Sequence, residues 1–132
     1  MNKLIVPAIL VAAGMVTAAA WAQTPNPNVK IYYTTPLEND ASRYVRLQSV
    51  SIPANSGNKF HRHPGDQWAA VQEGEVTLIV KDQPPRTLKV GDSVYIPRGT
   101  IHRNQNMTDK PARTIELVIL DKDKPALEQV DE

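Results

Sequence analysis

The stretch 59–74, KFHRHPGDQWAAVQEG, places His61 and His63 one residue apart in a chain with only three histidines. In an extended strand, residues i and i+2 project from the same face, so the two imidazoles point together while Arg62 points away. Two imidazoles on one face can share a metal ion. Two ordinary surface histidines on an edge strand are the plainer reading of an isolated H-x-H. The third histidine, His102, follows the turn-rich run GDSVYIPRGT of residues 91–100. The chain has no cysteine, so an ion here takes nitrogen and oxygen donors, and no disulfide contributes to stability.

The elements that must aim these rings read as short strands. Segments 29–34 (VKIYYT) and 43–52 (RYVRLQSVSI) are rich in β-branched and aromatic residues. In the second, the apolar phase moves from Val45 and Leu47 to Val50 and Ile52, which predicts a bulge. Further strands are predicted at 58–63, 67–72, 75–80, 86–90, 93–96, 102–107 and 113–120. Turn signals such as PANSG, HPGD, KDQPP and PRGT separate them. No helical period exceeds two turns. About nine short strands at even spacing predict an all-β sandwich or barrel.

Residues 1–22 have a basic start at Lys3, an apolar run and the small-x-small stretch Ala20-Trp21-Ala22, so they read as a cleaved signal peptide. An uncleaved anchor is the alternative. Cleavage predicts a secreted or periplasmic protein with no membrane attachment. Removing 1–22 from the 132 residues leaves 110, which is one domain with a modest core. It also removes Lys3, so 14 Lys and Arg face 14 Asp and Glu. A balanced charge argues against a nucleic-acid partner, which would need a basic excess. Residues 23–28 (QTPNPN) read as a disordered lead-in, 29–120 as the domain, and 121–132 as a charged tail, either an exposed arm or a strand for another subunit.

Beyond the H-x-H, Gly91 is followed by five residues to Pro97, one to Gly99, two to His102 and three to Asn106. Every position of that spacing resembles the second motif of the cupin superfamily. His61, His63, then Gln67 and Gly74 resemble the first motif, with glutamine where the family usually has glutamate. Gly57 lies closer to His61 than the family's upstream glycine does. HRHPGDQ is similar to the H-x-H-P-x-x-Q form of cupins resembling pectin-degradation proteins. The resemblance implies a single-domain jelly-roll β-barrel and often a homodimer. It also implies one divalent ion (zinc, nickel, iron or manganese) held by His61, His63, His102 and Gln67. A glutamine ligand gives a neutral oxygen in place of a carboxylate. The ion would keep nearly its full charge, bind less tightly and polarise a bound oxygen more strongly. Asp66, of the wrong parity, and Glu73, at a hairpin tip, rank behind Gln67.

Phe60 and Trp68, facing opposite to the ligands, are expected in the core. Arg46, Arg103 and Tyr95 are read as exposed, with an anion-gripping role open to any that reaches a pocket. The function implied is Lewis-acid isomerase or lyase chemistry on a small sugar acid, enol or polyol. A metal-dependent dioxygenase and a non-catalytic metal- or sugar-binding module are the alternatives. The catalytic base stays unassigned.

Overall fold

The computed structural model describes Asn26 and residues 28–131. The expected signal peptide and most of the lead-in lie outside the described residues. Among the described residues, eleven strands run in order: β1 Val29–Leu37, β2 Asp40–Ile52, β3 Ser56–Gly57, β4 His61–Arg62, β5 Gln67–Glu73, β6 Glu75–Val80, β7 Arg86–Lys89, β8 Ser93–Ile96, β9 His102–Asn106, β10 Ala112–Asp121 and β11 Glu128–Gln129. One sheet has the order β1-β2-β10-β5-β8. The other runs β11-β4-β9-β6-β7, with β3 also paired to β9. The pairing is antiparallel throughout, and the two sheets face each other as a jelly-roll barrel.

The period-2 geometry of β10 sets the inside of the barrel. Ala112, Thr114, Glu116, Val118 and Leu120 are buried, and the residues between them are half-exposed. Their partners on β2 are Ile52, Val50, Gln48, Arg46 and Tyr44, and on β5 Thr114, Glu116 and Val118 meet Val71, Ala69 and Gln67. Paired residues share a face. One end of the barrel is therefore apolar, closed by Ile52, Val71, Val76, Leu78 and Val94. The other end turns Arg46, Gln48, Gln67 and Glu116 inward. Each fully buried aliphatic side chain at the closed end contributes about 1.5–3 kcal/mol.

This corrects the bulge expected in β2. β2 runs unbroken against β10 from Arg43 to Ile52, and the β1–β2 pairing shifts register between Ile31 and Tyr33 and again beside the hairpin turn between Pro36 and Leu37. The apolar phase moves because Val45 and Leu47 lie on the outer face while Val50 and Ile52 lie inside. Trp68 and Phe60 are corrections too. Trp68 is 43% exposed on the outer face. It stacks on Tyr95 with ring centroids 5.2 Å apart. Phe60 is half-buried under the Arg103 guanidinium, which sits 4.7 Å from its ring centre.

The charged tail folds back on its own chain. β11 pairs with β4, and the Val130 N–H donates to the Phe60 carbonyl at 2.9 Å. Arg62 donates two hydrogen bonds to the Glu128 carboxylate at 2.9 and 3.0 Å. That pair is exposed, so solvent screening leaves it little share in stability. The strap's consequence lies in the ring it touches, His63.

Candidate metal centre

His61 on β4 and His102 on β9 are direct cross-strand partners. The turn before His102 brings it there: the Thr100 N–H donates to the Pro97 carbonyl at 3.1 Å, and Gly99 takes φ +75°, open to glycine at little cost. The Gly99 N–H also donates to the His63 carbonyl at 3.1 Å, joining the two histidine-bearing segments. Past His63, the chain turns at Gly65, where a Cβ would run into the Ile119 carbonyl. That close approach sends β5 inward at Gln67.

The three rings converge. Centroids are 4.4 Å apart for His61 and His102, 5.0 Å for His61 and His63, and 5.6 Å for His63 and His102. One nitrogen from each lies within 4.8 Å of the other two, so the three could hold one metal ion. Their orientation follows from hydrogen bonding. Each Nδ1–H donates to a backbone carbonyl: His61 to Lys59 at 2.9 Å, His63 to Ala126 at 2.7 Å and His102 to Thr100 at 2.9 Å. A carbonyl can only accept, so the proton stays on Nδ1 and each Nε2 offers a lone pair. The Nε2 atoms of His63 and His102 are buried without a hydrogen-bond partner. Such groups are costly unless something outside the chain satisfies them.

Electrostatics keep the rings neutral. Burial pushes the pKa of His102 down to about 4, with the neighbouring His61 adding to the shift. Burial is also the first cause of the lowered pKa values of His61 and His63, and the positive charge of Arg46 contributes at His63. A neutral imidazole is the ligand form.

Gln67 is 2% exposed and points into the barrel. Its Nε2 donates to Glu116 Oε2 at 3.1 Å, while its Oε1 is buried with no partner. Glu116 was not singled out by sequence reasoning. It is 4% exposed and also accepts from Gln48 Nε2 at 3.0 Å and Thr114 Oγ1 at 3.0 Å. A carboxylate only accepts, so it fixes the amide nitrogen of Gln67 toward itself and the amide oxygen away. The in-phase set Thr114, Glu116, Val118 and Leu120 was the available signal, but Ile115, Leu117 and Ile119 are equally apolar on the other phase.

Asp66 and Glu73 are engaged on the surface. Asp66 accepts from Tyr95 Oη at 3.1 Å and from the Arg98 N–H at 2.9 Å. Glu73 accepts from Arg113 at 3.4 Å. Of the three possible anion-binding residues, Tyr95 and Arg103 face outward. Arg46 faces into the barrel, against the exposed placement expected for it.

A family profile described as "Cupin domain" matches residues 48–119, more than half of the chain. The chain belongs to the cupin family. This cupin is 38% identical over 61 residues to the uncharacterized protein YdbB of Bacillus subtilis, covering 46% of this chain and 50% of that protein. It is 32% identical over 71 residues to dimethylsulfoniopropionate lyase DddQ of Ruegeria pomeroyi, covering 54% of this chain and 35% of that protein. The matches thus span half or less of these curated relatives. The solved DddQ structure superposes with a TM-score of 0.61 at 24% identity, covering 78% of this chain and 52% of DddQ. A cupin-like protein from Thermotoga maritima gives 0.59 at 24% identity, covering 79% and 75%. Both structural likenesses speak to the fold.

Proposed function

We propose that this cupin holds one divalent ion through His61, His63 and His102 Nε2 and Gln67 Oε1. The ion would serve as Lewis acid in lyase- or isomerase-type chemistry on a small oxygen-bearing molecule: a sugar acid, enol or polyol. The observation that carries the reading is convergence. Three neutral imidazoles with their Nδ1 protons committed to carbonyls come together, and the barrel also holds a buried amide oxygen, that of Gln67, with no partner. Such donors suit zinc, nickel, iron or manganese. The name of the DddQ relative supports the lyase arm. Within this reading, the chain's residues bind and orient the ion, and the barrel walls limit water around it.

The test is turnover by the ion-loaded protein across a panel of hydroxy acids, sugar acids and dimethylsulfoniopropionate. Loss of turnover on chelation and its return on adding the ion back are expected. Substrates that raise the melting temperature yet emerge unchanged would make the protein a binding module. Uptake of O₂ with an enol would make it a dioxygenase.

The Ala126 carbonyl makes the tail part of this reading, because it sets the tautomer of His63. Loss of such an outer hydrogen bond lowers metal affinity about 10- to 100-fold. A chain ending at Lys124 is expected to show a fall of that size in a competitive chelator titration. Unchanged affinity would make the strap irrelevant to the ion.

Two further parts of the proposal concern the surroundings. Trp68, Tyr95, Leu47 and Leu117 line a hollow of about 350 Å³ on the outer sheet face, away from the imidazoles. That apolar face supports a homodimer, which light scattering on the purified protein tests. Residues 1–22 are proposed to direct export, and N-terminal sequencing of protein from the periplasm or medium tests that.

A further inference from the structure

We propose that Arg46 is the substrate-anion clamp of this site, which narrows the substrate to a molecule carrying a carboxylate. The inference rests on the metal reading above and selects the acid over the neutral enol or polyol.

Placement is the first argument. Arg46 on β2 pairs with Val118 on β10, and Val118 pairs with Gln67 on β5, so all three lie in one inward-facing row. Two strand spacings, roughly 10 Å, separate the backbones of Arg46 and Gln67. An ion beside Gln67 and a carboxylate bridging to a guanidinium fit within that span.

The second argument is the state of the guanidinium. Its Nη2 donates to Tyr44 Oη at 3.4 Å, and its Cζ lies 5.7 Å from the Tyr44 ring centre. Its Nε is buried with no hydrogen-bond partner. Among the described residues no carboxylate pairs with it, whereas Arg43, Arg62, Arg98 and Arg113 each have one. A cation turned into a barrel without a counter-ion is costly. Glu116 does not relieve it, because three other donors hold that carboxylate. A planar guanidinium with free donors matches a carboxylate in two parallel hydrogen bonds.

The test compares binding of glycolate and the neutral glycolamide to cobalt-loaded protein by calorimetry and by the cobalt absorption spectrum. Wild type is expected to bind glycolate and to discriminate against glycolamide. R46Q is expected to keep one ion per chain but to bind glycolate roughly 10- to 100-fold more weakly. R46K, with the charge but not the fork, should fall between. Glycolate binding to R46Q within about two-fold of wild type would overturn the inference. So would ion-loaded wild type that binds glycolate no better than glycolamide. A wild-type chain that takes up no ion overturns the proposed function and this inference together.

Discussion

His102→Ala is expected to abolish ion uptake at neutral pH. His102 is completely buried and supplies the β9 side of the cluster, directly across from His61. Without it, only His61 and His63 from one segment and the neutral amide oxygen of Gln67 would remain. Outer-sphere losses alone lower affinity about 10- to 100-fold, and removing a ligand should exceed that. Inductively coupled plasma analysis after dialysis against a stoichiometric ion reads the result, with circular dichroism checking that the barrel persists. The same substitution should blunt acid sensitivity in the ion-free protein. The folded pKa of His102, about 4, lies below the unfolded value of 6.5. The unfolded chain therefore takes up the proton first, and stability present above pH 6.5 is lost as pH falls toward 4. The His102 share of that loss is on the order of 3 kcal/mol. Urea midpoints of the ion-free wild type should drop across that window, and those of His102→Ala should drop less. Parallel pH profiles would show that His102 is not buried as described.

Glu116 carries the second large effect, and two substitutions separate its roles. Glu116→Ala leaves Gln48 Nε2, Gln67 Nε2 and Thr114 Oγ1 buried without their acceptor. With each such group costing at least about 1 kcal/mol, a destabilisation of about 3 kcal/mol or more is expected in denaturant titration. Glu116→Gln keeps the volume but brings an amide nitrogen among donors. Its amide oxygen can take the Oε2 place and accept from both Gln48 and Gln67, while its nitrogen donates to the Thr114 hydroxyl, which can accept. Gln67 then keeps its amide oxygen turned away from residue 116, so Glu116→Gln should lose far less stability than Glu116→Ala and keep its ion affinity. The same geometry accounts for glutamine at the motif's glutamate position. A glutamate at position 67 would bring a second carboxylate to where Gln67 now lies 3.1 Å from Glu116. Two carboxylates at that range repel, so Gln67→Glu alone should not raise affinity, whereas combined with Glu116→Gln it should. A Glu116→Ala variant as stable as wild type would remove Glu116 from the account.

The sequence made the strands legible because turn residues bound them closely; most of the predicted segments match strands to within a few residues. It also exposed the histidines, whose i, i+2 spacing and glycine-proline turn carry geometric meaning. The chemistry around them was hidden by an inversion of the usual pattern. At the open end of the barrel Arg46, Gln48, Gln67 and Glu116 point in, while Leu47, Trp68 and Leu117 point out. Periodicity shows that a strand has two faces, but tertiary pairing decides which is inside. The bulge in 43–52, the buried Trp68 and the exposed Arg46 were expected for that one reason. The strap formed by β11 was hidden for another: two-residue β11 is too short to carry a pattern, and its pairing with β4 is fixed by backbone position.

The most direct test of the shared ion is elemental analysis of the wild-type protein purified from its own host, joined to X-ray absorption at the edge of whichever metal is found. About one divalent ion per chain, with three imidazole nitrogens and an oxygen in its coordination sphere, is the expected result. A folded protein that holds no ion, and takes up none on reconstitution, would contradict it.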